Sequence, residues 1–106
     1  MFRENRVMLT RKDLLLISSE YFEILKKNNF YIEVLSKCTK HCWIIYKHGS
    51  PDNYPVWIYH KHKQSNQCYH LHRRTGNIEL AVNEILQHDK YQLRGRQNVF
   101  KNQKSH

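Results

Sequence analysis

The stretch from Tyr54 to Arg74, YPVWIYHKHKQSNQCYHLHRR, constrains this chain more than any other. Apolar and polar side chains alternate along both of its halves, and a short polar segment, Lys63 to Gln67, separates them. Side chains on a strand point alternately to its two sides, so this pattern predicts a β-hairpin. Val56 to His62 forms one strand and Cys68 to Arg73 the other. The alternation splits them into two sets. Trp57, Tyr59, Tyr69 and Leu71 form the first set, expected to pack under helices. His60, His62, Cys68, His70 and His72 form the second, expected to face outward. A turn that pairs His62 with Cys68 sets His60 opposite His70 and Ile58 opposite His72, and a slip of one residue undoes this.

Earlier in the chain, Thr10 and Asp13 have the spacing of a capping box. Leu14, Ile17, Tyr21 and Leu25 follow at three- and four-residue steps. They predict an amphipathic helix of about four turns that stops at Asn28-Asn29. Phe30 to Ser36 reads as a strand, then a turn near Cys38 to Lys40, then a strand from His41 to His48. Trp43-Ile44-Ile45-Tyr46 is apolar on both sides of that strand, as an interior strand would be. Gly49 to Asn53 is a loop. After Thr75-Gly76, Asn77 is the expected N-cap of a second helix, with Ile78, Val82, Ile85 and Leu86 on its apolar side. The period fades from Asp89. Tyr91 and Leu93 are expected to pack back, and the end from about Gln97 to be loose.

The expected fold class is therefore α+β. It is a two-layer sandwich in which two helices cover one face of an antiparallel three- or four-stranded sheet, in the order α-β-β-(β)-β-α. The expected division is a short leader over 1–9, a single domain over 10–93 and a basic, flexible tail over 94–106. At 106 residues the chain suits one domain with one core.

Charge bears on the partner. The net charge is +9, and residues 37–76 carry seven basic side chains, one acidic one and six of the eight His. A localised basic surface attracts polyanions, of which nucleic acid is the commonest. The expected contacts are Lys61, Lys63, Arg73 and Arg74 with His60, His62, His70 and His72, and Arg94 and Arg96 in the tail. Lys37, Lys40 and Lys47 stand on neighbouring strands. The expected partner is nucleic acid, RNA before DNA, or a nucleoprotein complex. The expected role is non-catalytic binding through the open sheet face and the tail. The Lys/Asn/Ile-rich composition suggests a small regulatory protein of a phage or mobile element.

Other chemistry has less to stand on. There is no nucleophile elbow, no paired carboxylates and no phosphate loop. Two His facing each other across strands suit acid–base cleavage of RNA, with Lys61 or Arg73 beside the charged phosphate, and this is the alternative reading. A protein-binding inhibitor that presents the same face is a second alternative. The chain has no Cys-x2-Cys pair, and Cys38 to Cys42 is not a usual zinc-knuckle spacing, so neither metal nor cofactor is expected. Three Cys and only short apolar runs, such as Leu14 to Ile17, predict a reduced, cytoplasmic protein without a membrane span.

The order helix–strands–helix resembles double-stranded-RNA-binding domains and HicA-type toxins, which are small ribonucleases. EILKKNNF at 23–30 looks like the helix end before the first strand of those toxins, and His41 then takes the place of their catalytic histidine. This chain reads Thr39-Lys40-His41 where the toxins have Gly-Ser-His. Asn77-Ile78-Glu79-Leu80 replaces the lysine-rich helix start of the RNA-binding domains. The likeness is one of topology, and topology does not fix function.

Overall fold

A computed structural model describes residues 8–48, 53–66 and 68–104, with the side chains of 96–104 left aside. Most of the leader and most of the Gly49–Asn53 loop lie outside the described residues. The fold is α+β, with a five-stranded antiparallel sheet and two helices. The elements are α1 (Arg11–Leu15), β1 (Phe22–Lys27), β2 (Tyr31–Ser36), β3 (Cys42–Lys47), β4 (Val56–Lys61), β5 (His70–Thr75) and α2 (Ile78–Lys104). The strands lie in sequence order, β1 to β5, as a meander. No described helix is long and apolar enough to cross a membrane.

The extra strand corrects the expected first helix. The capping box is present, with Asp13 N–H donating to Thr10 Oγ1 at 3.0 Å and Thr10 N–H to Asp13 Oδ2 at 2.9 Å. The helix it starts has only five residues. Ser18 ends the helical run: its hydroxyl accepts the Glu20 N–H at 3.1 Å, and its carbonyl accepts those of Tyr21 and Phe22. A serine that bonds nearby backbone competes with the helix and favours a turn. Phe22 to Lys27 then pairs with β2. Asn28-Asn29 is a hairpin turn, in which Asn28 Oδ1 accepts the N–H groups of Phe30 and Tyr31 at 2.8 and 3.0 Å. Asn suits a helix stop and a tight turn equally, so its identity did not separate them. The segment likened to a toxin helix end is thus strand and turn.

One apolar cluster forms the core. It takes Ile17, Phe22, Ile32, Val34, Trp43, Ile45, Val56 and Ile58, together with Ile78, Ala81, Val82 and Ile85 from α2. Asn77 caps α2 as expected, its Oδ1 accepting the Leu80 N–H at 2.8 Å. The helix packs over β3, β4 and β5, and its backbone runs past Asp89 to Lys104. Tyr91 does not pack back, being 74% exposed. Between β2 and β3 the chain turns through Lys40, at φ 66°. A left-handed lysine is uncommon, and it brings the chain round to His41.

Candidate functional site

The hairpin is present, with its two sides reversed from expectation. On β4 the buried residues are Val56, Ile58 and His60, while Trp57, Tyr59 and Lys61 are partly exposed. Both sets contain apolar residues, so alternation alone left the choice open. The neighbours decide it: Trp43 and Ile45 on β3 are fully buried, and they pair with His60 and Ile58. Val56, Ile58 and Ile45 fill the layer beneath α2 together with the Trp43 ring. Rings with polar tips, such as Tyr59 and Trp57, keep access to water.

On β5 the expected pairing of His60 with His70 is found. Ile58 instead pairs with Arg73, because a bulge between Ile58 and Tyr59 leaves His72 as the extra residue. A bulge re-aims side chains, and here both His72 and Arg73 reach α2. His72 Nε2 and Arg73 Nη1 each lie 3.1 Å from a carboxylate oxygen of Glu84. His60 is buried and His72 half-buried against α2, while His62 is exposed. All three join a group of rings with His41 and with His88 of α2. The signal for His88 was its position: it follows Ile78, Ala81, Val82 and Ile85 on the buried side of α2.

His60 is the hub of this group and is 2% exposed. Its ring stacks on Trp43 with centroids 4.0 Å apart, and its Nε2 lies 2.9 Å from His41 Nδ1. His62 stacks on His41 at 4.8 Å and 10°. His88 stands 4.9 Å from His60 and edge-on to Trp43 at 5.0 Å. Burial holds the His60 pKa down at about 3, with repulsion from His88, His41, His62 and His72 adding to it. Burial also lowers His88. Asp89 is buried beside this group and accepts from Thr39 Oγ1 at 3.1 Å; burial raises its pKa against the pull of its hydrogen bonds. One ring nitrogen from each of His41, His60 and His88 lies within 4.8 Å of the others. An adjoining cavity of about 540 Å³ is lined by Thr39, Lys40, His41, His62, Lys63 and Gln92, among others.

The opposite sheet face lies away from α2. Registers across β2 to β5 align Tyr31, Tyr46, Trp57 and Arg74 in one row, one residue per strand. Tyr31 and Tyr46 lie 6.2 Å apart, His48 stacks flat on Trp57 at 4.1 Å, and the Arg74 guanidinium lies 4.9 Å from the Trp57 ring. A parallel row holds Glu33, Ile44, Tyr59 and Leu71. At one end Lys61 Nζ lies 4.6 Å from the Tyr69 ring, while Tyr69 OH donates to Glu33 Oε2 at 2.6 Å. Burial, then that bond, pushes the Tyr69 pKa up.

The expected contact residues are thus divided. Lys61 and Arg74 lie on the open face, whereas Arg73 is tied to Glu84 on the helix side. His62 and Lys63 line the cavity, His70 is exposed beside His60, and Arg94 is exposed on α2. The Arg96 side chain lies outside the described residues.

Comparison with protein-family models, with curated proteins and with solved structures finds no match to this chain.

Proposed function

We propose that this chain is a non-catalytic binding protein that takes single-stranded nucleic acid across its open sheet face. The observation that carries this reading is the row Tyr31–Tyr46–Trp57–Arg74, three rings and a guanidinium on the face away from α2. Strand spacing makes the row about 14 Å long, room for two or three stacked bases. Aromatic rings and guanidinium planes stack on bases whatever the sequence, and basic side chains draw in the phosphates. Lys26, Lys61 and the net charge of +9 supply that attraction. The contact set therefore moves from the histidines to the aromatic row.

Fluorescence anisotropy with a short labelled single strand tests this, with RNA and DNA of the same sequence run in parallel. Binding at low salt is expected to weaken steeply as salt rises. Tyr31→Ala, Tyr46→Ala and Trp57→Ala are each expected to weaken it by about 1–3 kcal/mol, roughly 5- to 150-fold. No binding at low salt, or binding indifferent to all three changes, contradicts the reading.

One observation favours a second reading, RNA cleavage. The cavity is lined by His41 and His62 together with Lys40 and Lys63, a grouping suited to a phosphodiester. The His60/His70 pair no longer serves, because a buried His60 with a pKa near 3 carries no proton to give at neutral pH. Loss of RNA during the titration, abolished by His62→Ala, would move the function to this cavity.

A further inference from the structure

We propose that His41, His60 and His88 form a binding site for one borderline divalent metal ion of the zinc class. Spacing in sequence gave no sign of it, because the three ligands come from the β2–β3 turn, β4 and α2.

The geometry is close to what such an ion requires. Zinc holds imidazole nitrogens at about 2.0–2.1 Å, so two ligands on a tetrahedron lie about 3.3 Å apart. His41 Nδ1 and His60 Nε2 are already 2.9 Å apart. All three ligand atoms lie within 4.8 Å. Closing the set takes a movement of about 1.5 Å, within reach of a side-chain rotation at His88. Nδ1 of His88 is buried and has no hydrogen-bond partner. A buried polar nitrogen without a partner is costly and rare in folded proteins, and a metal ion gives it one.

The surroundings fit as well. The ligands are neutral imidazoles, which suit zinc, copper, nickel and iron; magnesium and calcium take oxygen ligands. Today's His41–His60 hydrogen bond needs one proton between the two facing nitrogens. Metal binding moves that proton to the far nitrogen of the same ring, leaving both lone pairs for the ion and no change of charge on the rings. Trp43 stacks beneath His60 and stands edge-on to His88. Three protein ligands leave a fourth position, and the cavity beside His41 admits water or an exogenous ligand to it.

The test uses the full chain, stripped with a chelator and titrated with Zn²⁺ in a calorimeter. One ion per chain is expected, bound at micromolar or tighter concentration, with a rise in the thermal midpoint. His88→Phe keeps a ring in the buried position and removes the ligand. It is expected to weaken binding by more than the 10–100-fold typical of a supporting residue. His70→Ala, at an exposed ring, is expected to leave binding unchanged. Histidine ring signals of the wild-type chain give a second readout that needs no variant: those of His41, His60 and His88 are expected to shift together with one equivalent of Zn²⁺. Absence of uptake overturns the proposal. So does uptake that His88→Phe leaves intact, or that shifts only His62 and His70.

Discussion

Trp43→Ala is expected to remove a large share of the stability of this protein. Trp43 is fully buried on β3, the middle strand of the sheet. Its ring stacks on His60 and meets His72 and His88 edge-on. Its indole N–H donates to Ser36 Oγ at 3.1 Å. Truncating a buried aromatic to alanine costs about 3–5 kcal/mol, against a total of about 5–15 kcal/mol for a domain. Urea denaturation followed by circular dichroism measures the loss. Trp57→Ala is the informative companion, because Trp57 is the equally large ring that alternation had assigned to the core. It lies on the open face and is only partly buried, so its removal is expected to cost less than half as much. Equal losses would contradict the orientation of the hairpin.

The second large effect is a loss of stability in mild acid. In the unfolded chain His60 has its ordinary pKa of 6.5, and in the folded chain about 3. Between those values the unfolded chain binds a proton that the folded chain refuses. Stability is thus complete above pH 6.5 and falls as the pH drops towards 3. His88 is lowered for the same first reason, burial, and acts in the same direction. The groups around His60 are His41, His62, His70, His72 and His88, with Glu84 and Asp89 behind them. The raised Asp89 works the other way, because its folded carboxyl takes a proton more readily than the unfolded one. His60 and His88 act together against this single carboxyl, so the profile is expected to follow the imidazoles. The expected net loss is on the order of a few kcal/mol. Urea midpoints taken from pH 7.5 to 4.5 with chelator present, at intervals of about half a unit, follow it. His60→Phe is expected to flatten the profile.

Local signals in this chain were reliable where one physical choice dominated. The Thr10–Asp13 capping box, the Asn77 cap and the pairing of His60 with His70 are all found. The Trp43–Tyr46 strand is interior, as its two apolar sides implied. The failures share a cause: each turned on a competition that depends on distant partners. Leu14 and Ile17 fit a helical stripe, yet Phe22 to Lys27 gains a full ladder with β2, and Ser18 makes the break between them. Which side of the hairpin is buried depended on Trp43 and α2, not on the hairpin itself. The bulge at His72 and the approach of His88 arise only once the sheet and α2 are assembled. A histidine among the buried positions of an amphipathic helix was the one available trace of that cluster.

The hairpin is divided into a histidine side against α2 and an aromatic side away from it, the side proposed to take the ligand. Chemical-shift mapping with a short single-stranded RNA at low salt tests it most directly. The predicted result is shifts at Tyr31, Tyr46, Trp57, Tyr59 and Arg74, with the indole signal of Trp43 unmoved. Shifts confined to His62, Lys63 and the neighbouring cavity, or none anywhere at low salt, would contradict it.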